Sequence, residues 1–158
     1  TLKRAVAEAG VCTELETGPQ PVPEVVNEMT RRLQELLGPE HAAVVRASGS
    51  YIVPEGPLSP DHIVYSKSYH LVGEPTEEAV AAFRERHGYL PQVISCESGV
   101  YAVGKDEKAA DLALTLSRDG ALVVPMTEAF GGPRYMDKRA SDFIENWEVE
   151  AYRRQVAT

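Results

Sequence analysis

A chain of 158 residues is long enough to bury one hydrophobic core, and 43% hydrophobic with 25% charged residues is typical of a folded protein rather than a disordered one. A formal net charge of −8 opposes binding to a phosphate backbone and argues against a nucleic-acid partner. The sequence shows neither an apolar run of about 20 residues that could span a bilayer nor a signal-peptide pattern, so we expect a cytoplasmic protein with no membrane partner.

The N-terminal segment, residues 1–22, gives the weakest structural signal. A short helical pattern over residues 2–9 ends at Gly10 and precedes a polar run. We therefore expect a linker or N-terminal extension here and a single α/β domain over residues 23–158. The first residue is Thr1 rather than Met, which indicates a processed or excised chain.

Apolar spacing predicts a first helix and a set of short extended segments after it. The helix runs from Pro23 to Leu37, with proline in its first turn and Gly38 just past its end. Short apolar runs bounded by glycine or proline then predict extended segments over residues 41–46, 51–53 and 63–65.

A second helix and two strands follow in the sequence. Thr76 is a suitable N-cap for a helix that ends at Gly88. Residues 93–96 and 100–103 are apolar and are separated by a turn that contains glycine, so they are predicted to be strands.

Strands that alternate with helices favour an α/β fold, which we expect to be a three-layer, Rossmann-like domain with a mostly parallel sheet. In such sheets a ligand binds beyond the carboxyl ends of the strands. Residues near these ends are candidates for substrate binding: Ser48, Ser50, Glu97 and Lys105. The Ser-Gly-Ser sequence at residues 48–50 is also explained by a simple turn, and no dinucleotide-binding glycine pattern is present.

The sequence Ser59-Pro-Asp-His62 is a candidate catalytic segment. Asp61 and His62 beside a strand could provide an acid/base pair or an oriented imidazole. The structural alternative is a turn in which the aspartate after proline bonds to its own backbone.

A lysine, two serines, two tyrosines and a histidine lie together in residues 65–70. In an acidic protein, Lys67 beside serine hydroxyls is a suitable binding position for a phosphate or a carboxylate. The alternative is an edge strand with polar side chains that point outward. A Schiff-base role for Lys67 would require burial that lowers its pKa.

The histidines and cysteines do not form a metal-binding pattern. The four histidines show no i, i+4 pair and no His-x-His, so no metal site is expected in this chain. Cys12 and Cys96 form no C-x-x-C motif, and we expect two reduced thiols.

Residues 99–111, 128–133 and 143–150 contain the sequences Gly-Val-Tyr-Ala-Val-Gly-Lys, Phe-Gly-Gly-Pro and Phe-Ile-Glu-Asn-Trp-Glu-Val-Glu. They resemble the C-terminal part of class II aldolase/adducin-type proteins of sugar catabolism, including the long rhamnulose-1-phosphate aldolase forms fused to a dehydrogenase. The resemblance implies a parent protein that cleaves a phosphorylated sugar by a retro-aldol reaction, in which a divalent metal such as zinc polarises the carbonyl group. The family's metal-binding His-x-His pair lies in an N-terminal domain, and no His-x-His occurs here.

Residues 105–127 allow two interpretations. Composition predicts a helix that ends near Ser117 and a strand over residues 121–124, because Pro125 cannot donate a hydrogen bond within a helix. The resemblance implies one long helix bent at Pro125, and we prefer this prediction.

The last predicted element is an amphipathic helix over residues 137–154. Its apolar face contains Ala140, Phe143, Ile144, Trp147 and Ala151. We expect Trp147 and the Phe-Gly-Gly-Pro segment at residues 130–133 to serve packing. An exposed Trp147 would instead indicate an interface with an upstream domain or a second subunit.

These features together predict the C-terminal domain of a class II aldolase-like protein, without the metal-binding histidines, that supports substrate binding or assembly. Asp61, His62 and Lys67 would contribute to a pocket shared with an N-terminal aldolase domain, for a sugar phosphate or another small anionic ligand. No cofactor is expected in this chain, and a homo-oligomer is expected. The alternatives are a free-standing small-molecule or nucleotide-binding domain without catalysis, and an oligomerisation module that uses the last helix.

Overall fold

The computed structural model describes residues 14–128 and 130–157, so the predicted helix over residues 2–9 and Cys12 lie outside the described part of the chain. The helices are α1 (Pro23–Leu37), α2 (Pro60–Ser66), α3 (Glu77–His87), α4 (Glu107–Glu128) and α5 (Lys138–Ala157), and the strands are β1 (Val44–Ser48), β2 (Leu71–Val72), β3 (Val93–Cys96) and β4 (Gly99–Gly104). None of the described helices is both long and apolar enough to cross a membrane.

One sheet of four strands organises the fold, in the order β1-β4-β3-β2. β4 pairs antiparallel with both β1 and β3, and of the described pairs only β2 and β3 run parallel. The protein therefore belongs to the α/β class, but the prediction of a mostly parallel sheet is wrong. The reason is the short turn between Cys96 and Gly99, because a connection of this length can only reverse the direction of the chain.

β4 is buried along its whole length and contributes to a hydrophobic core on each face of the sheet. On one face, Tyr101 shares a core with Leu33 of α1 and Phe83 of α3. On the other face, Val100 shares a core with Ala113 of α4. Alternating side chains of a strand point to opposite faces, so a single central strand serves both cores.

The predictions of α1, α3 and the last two strands are confirmed, because local signals mark their ends. Thr76 caps α3 by accepting a hydrogen bond from Ala79 N–H at 3.1 Å, and Gly88 ends the helix with a φ of +80°. Cys96 is a buried free thiol on β3, as expected. The first strand is displaced relative to its prediction, since β1 covers Val44–Ser48 rather than residues 41–46.

The predicted strand over residues 63–65 is wrong, because this segment lies within α2. Ser59 is the N-cap, and its Oγ accepts a hydrogen bond from His62 N–H at 3.4 Å. Proline at the start of the helix supplies the backbone angle that a first turn needs. An apolar run of three residues cannot distinguish strand from helix, so the cap was the better signal. Residues 51–53 belong to no strand of the described sheet.

α4 confirms the preferred prediction of one long helix, and the alternative strand over residues 121–124 is wrong. The helix continues through Pro125, and Gly120 lies inside it. A Cβ atom at Gly120 would lie 2.8 Å from Cγ of Pro54, so the close approach of the loop requires glycine. Ala113 and Ala121 are buried, and this packing stabilises the helix despite the glycine and the proline.

α5 forms where the C-terminal helix was predicted, but its apolar face is not the face that packs on this chain. Ser141 is buried and Glu145 lies against α2, whereas Phe143 and Trp147 are 69% and 65% exposed. The prediction that Trp147 fills a gap in the packing is therefore wrong. Phe130 is also exposed, so the packing role predicted for it is wrong as well.

Residues 14–22 form neither helix nor strand and lie beside β1. Gln20 Nε2 donates a hydrogen bond to the carbonyl oxygen of Ala47 at 2.9 Å. The backbone N–H of Gly18 donates to the carbonyl oxygen of Ser50 at 2.8 Å. The segment before α1 is thus attached to the edge of the sheet.

Candidate functional site

A cleft of about 650 Å³ lies among α2, β2, the end of α3 and α5. Its lining includes the polar side chains of Lys67, Ser68, His70, Tyr89 and Glu145. Clefts of about 300–1,000 Å³ that contain a few convergent polar groups are the usual binding sites for small molecules. We therefore take this cleft as the candidate functional site.

Lys67 ends α2 in a backbone conformation that lysine rarely adopts. Its φ is +68° and its ψ is 163°, and it alone among the described non-glycine residues has a positive φ. This region is populated almost entirely by glycine, and such outliers cost on the order of 1–3 kcal/mol and cluster at functional sites. The N–H of Lys67 still bonds to the carbonyl oxygen of Ile63 at 3.0 Å, which fixes the turn.

Lys67 and Ser68 together form a binding position for a carboxylate, which we call the carboxylate seat. Lys67 Nζ donates to Glu145 Oε2 at 3.1 Å. Ser68 donates to Oε1 through its backbone N–H at 3.2 Å and through its Oγ at 2.8 Å. The Lys67 and Glu145 side chains are only 18% and 15% exposed, so water weakens this ion pair little. The seat satisfies both oxygens of one carboxylate.

Tyr89 forms the wall of the cleft beside the seat. Its Oη accepts a hydrogen bond from Tyr69 N–H at 3.1 Å, and Lys67 Nζ lies 5.3 Å from the centre of its ring. Burial, together with the nearby carboxylate of Glu145, raises the pKa of Tyr89. The phenol therefore stays protonated at neutral pH and can donate a hydrogen bond.

An aromatic stack continues this wall toward the end of α3. The rings of Tyr69 and His87 are stacked with their centres 4.4 Å apart, and Phe83 lies 4.6 Å from His87. Burial, with the neighbouring charge of Arg86, lowers the pKa of His87. The cleft thus combines a charged seat with flat aromatic surfaces.

His70 contributes a nitrogen that lacks a partner. Its Nδ1 is shielded from solvent. Among the described buried side-chain nitrogen and oxygen atoms, it alone makes no hydrogen bond. Burial lowers the pKa of His70 to about 4, so the imidazole is neutral at pH 7. A buried polar atom without a partner costs about 1–3 kcal/mol. A polar group of a ligand that reached this atom would remove that cost.

The predicted catalytic pair does not line this cleft. His62 Nδ1 lies 2.7 Å from Ser59 Oγ, and His62 Nε2 lies 3.0 Å from Asp119 Oδ2 on α4. Asp61 is exposed in the first turn of α2. The structure thus gives His62 an aspartate partner, but that partner is Asp119 rather than Asp61.

The four residues predicted at strand ends are not brought together. Antiparallel pairing places Ser48 opposite Val100, so Ser48 and Glu97 lie toward the same end of the sheet. Lys105 follows the opposite end of β4, about 16 Å away at about 3.3 Å per residue. Ser48 is buried, and Ser50 and Glu97 are exposed. Lys105 lines a second groove of about 1160 Å³, which shares Lys67 with the cleft. Of the predicted binding residues, only Lys67 lines the cleft.

Sequence reasoning missed Glu145, Tyr89 and Asp119. Glu145 lies 78 positions from Lys67, and Asp119 lies 57 positions from His62. No local pattern connects positions this far apart, so a single sequence carries no signal for these pairs. Tyr89 could have been noted as an aromatic residue that directly follows a helix-ending glycine.

The site is a cleft with an internal lysine–glutamate ion pair, on a small α/β domain with a mixed sheet. Within residues 14–128 and 130–157, no group of three or more histidine, cysteine, aspartate or glutamate side chains is placed to hold a metal ion. Comparison with known proteins finds no matching family model, no matching curated protein and no matching solved structure.

Proposed function

We propose that this chain is the C-terminal domain of a class II aldolase-like protein and that it binds a phosphorylated sugar in the cleft. The carboxylate seat is the observation that carries the proposal. Lysine ammonium, serine hydroxyl and backbone N–H groups are the donors that bind phosphate oxygens in proteins. A site that satisfies both oxygens of the Glu145 carboxylate also suits two oxygens of a phosphate.

The rest of the cleft suits the sugar part of such a ligand. The Tyr89 hydroxyl and the imidazole nitrogen of His70 supply polar groups at its wall. The rings of Tyr69 and Tyr89 supply flat surfaces against which the C–H face of a sugar can pack. A volume of about 650 Å³ leaves room for a ligand of this size.

The parent protein in this proposal contributes what this chain lacks. The resemblance of residues 99–111, 128–133 and 143–150 to class II aldolases supports an N-terminal aldolase domain as partner, which would hold a divalent metal through its own histidines. A cytoplasmic location belongs to the same proposal. A His-x-His domain encoded directly upstream would strengthen it.

The thermal midpoint of the chain with and without ligand tests the proposal. The ligands are fructose 1-phosphate, rhamnulose 1-phosphate, the corresponding free sugars and inorganic phosphate. A ligand at 100 times its Kd stabilises a protein by about 2.7 kcal/mol, which raises the midpoint by about 5–10 °C in a chain of this length. We expect this shift with the sugar phosphates and not with the free sugars.

Two variants make the test specific. Lys67→Gly removes the ammonium group and suits the backbone angles at this position, so it should abolish the shift without unfolding the protein. Lys105→Ala removes a lysine that does not line the cleft and should leave the shift unchanged. If no phosphorylated sugar shifts the midpoint, the proposal of a binding domain is wrong, and a scaffold that supports the aldolase domain becomes the better interpretation.

The aromatic stack favours a second candidate, a nucleotide-binding domain without catalysis. The stacked rings of Tyr69 and His87 lie in the same cleft as the carboxylate seat, and a nucleobase could stack on them while the phosphate occupies the seat. This candidate does not need the Rossmann-like sheet that the sequence predicted. A shift with AMP or UMP that exceeds the shift with sugar phosphates would favour it.

A further inference from the structure

We propose that α5 is a displaceable strap and that the Glu145 carboxylate occupies, in the ligand-free protein, the position that the anionic group of the ligand takes when it binds. The inference rests on the proposed function, since it describes how binding at the same cleft is controlled. It makes the cleft self-blocking, because the ligand has to compete with a carboxylate that belongs to the protein.

The carboxylate seat holds Glu145 by more hydrogen bonds than a simple ion pair requires. Glu145 reaches it with both oxygens, one on Lys67 Nζ and the other on the backbone N–H and Oγ of Ser68. Three converging donors are more than an ordinary lysine–glutamate pair uses. An arrangement that recognises both oxygens of one anion resembles a ligand site that is filled from within.

α5 contacts the rest of the domain mainly at α2. α2 is its principal neighbour among the described elements, and α5 makes no extensive contact with the sheet. Phe143 and Trp147 are 69% and 65% exposed, so these two large side chains contribute little to holding the helix in place. The side chain of the buried Ser141 donates to the carbonyl oxygen of Lys138 within α5 at 3.1 Å. Among the described side chains of α5, Glu145 accepts the hydrogen bonds from Lys67 and Ser68 that join the helix to the end of α2.

The chain is held in place immediately before α5. Met136 N–H donates to the carbonyl oxygen of Pro57 at 2.7 Å, and the Tyr135 ring packs against Gly56. The chain is anchored just before α5, so the helix can move away from the cleft while its first end stays attached.

Two residues of the cleft, His70 and Lys67, are in states that a bound ligand could stabilise. His70 Nδ1 is shielded from solvent and has no partner, although His70 lines the cleft. Lys67 has a strained backbone conformation, which persists only where surrounding contacts offset its energetic cost. A ligand oxygen that reached the His70 nitrogen would give it the partner that it lacks in the closed form.

The experiment is a calorimetric titration of the full chain with inorganic phosphate and with fructose 1-phosphate. Glu145→Gln removes the competing charge and keeps the shape of the side chain, and we expect binding about tenfold tighter, within the range of about 5–150-fold that coupling between sites usually gives. Glu107→Gln is the matched control, because it removes the same charge from an ion pair with Arg46 that does not line the cleft. Its affinity for both ligands should equal that of the wild-type chain.

Hydrogen exchange of the wild-type chain provides an independent readout. Amide exchange over residues 138–147 should become several-fold faster when phosphate saturates the site, since the ligand displaces Glu145. Equal affinities of the wild-type chain and Glu145→Gln, with exchange unchanged by bound phosphate, would overturn the strap and leave the proposed function intact. Absence of binding to every variant would overturn the proposed function itself. If Glu145→Gln is too unstable to titrate, the exchange measurement on the wild-type chain decides between the outcomes.

Discussion

Nζ of Lys67 lies 3.1 Å from Oε2 of Glu145, and this ion pair joins the end of α2 to a helix 78 positions further along the chain. Both side chains are largely shielded from solvent. Loss of either partner of such a shielded pair strongly destabilises the protein, because it leaves the other charge buried without compensation.

The first prediction is that the Lys67–Glu145 pair is energetically coupled. In a double-mutant cycle with Lys67→Met and Glu145→Gln, we expect a coupling energy of about 1–3 kcal/mol, measured by urea denaturation. The matched control is a cycle on Lys138 and Asp142, whose side chains are 84% and 53% exposed, and it should show no resolvable coupling. Similar coupling energies for both pairs would show that burial does not strengthen the Lys67–Glu145 interaction.

The second prediction concerns the backbone strain at Lys67. Lys67→Gly and Lys67→Ala both remove the ion pair, but only glycine adopts a φ of +68° with a ψ of 163° at little cost. We expect Lys67→Gly to be more stable than Lys67→Ala by about 1–3 kcal/mol in denaturant titrations. Equal stability of the two variants would mean that the backbone at this position is not strained.

The third prediction is a loss of stability in mild acid that depends on His70. Its folded pKa of about 4 lies below the ordinary value of 6.5, so between these pH values the unfolded chain binds a proton that the folded chain does not. The contribution of His70 is complete above about pH 6.5, and on the order of 1–3 kcal/mol is lost as the pH falls toward 4. His70→Gln should flatten the pH dependence of the unfolding free energy over this range.

His87 needs a control in the same measurement. Burial lowers the pKa of His87 as well, so it acts in the same direction. We expect His87→Gln to reduce the acid sensitivity less than His70→Gln does, because the shift at His70 is the larger one. A steeper dependence in His70→Gln than in the wild-type chain would contradict the assigned direction.

The fourth prediction is that the exposed aromatic face of α5 mediates assembly. Phe143 and Trp147 lie one helical turn apart and are both exposed, which is unusual for side chains of this size. If the chain is a homo-oligomer through this face, Phe143→Ser with Trp147→Ser should convert it to a monomer in light scattering. Because these side chains are not packed within the chain, the monomer should keep its stability within about 0.5 kcal/mol. An oligomer that survives both substitutions would exclude this face as the interface.

The sequence predicted the elements whose signals are local. α1 and α3 have amphipathic spacing and recognisable ends, and the apolar runs of β3 and β4 are separated by a short turn with glycine. α2 was missed because three apolar residues in a row suggested a strand, although the Ser59 cap was already visible in the sequence.

Pairing between distant segments could not be predicted. The direction of β1 relative to β4 decides that Ser48 and Lys105 lie at opposite ends of the sheet, and a single sequence does not encode this direction in any local pattern. The same reason explains the cleft. Lys67 was identified from its polar neighbours, whereas Glu145 lies outside the apolar face predicted for the last helix.

Trp147 is the only tryptophan of the chain, and its position on the exposed side of α5 has a spectroscopic consequence. Tryptophan emission therefore reports on the surroundings of this one helix and gives little direct information about the hydrophobic cores on the two faces of the sheet. Tyr101 is fully buried in β4, so it should contribute to the near-ultraviolet circular dichroism of the folded state. A denaturation curve followed by fluorescence would therefore describe the release of α5. A curve followed by near-ultraviolet circular dichroism would describe the unfolding of the domain core.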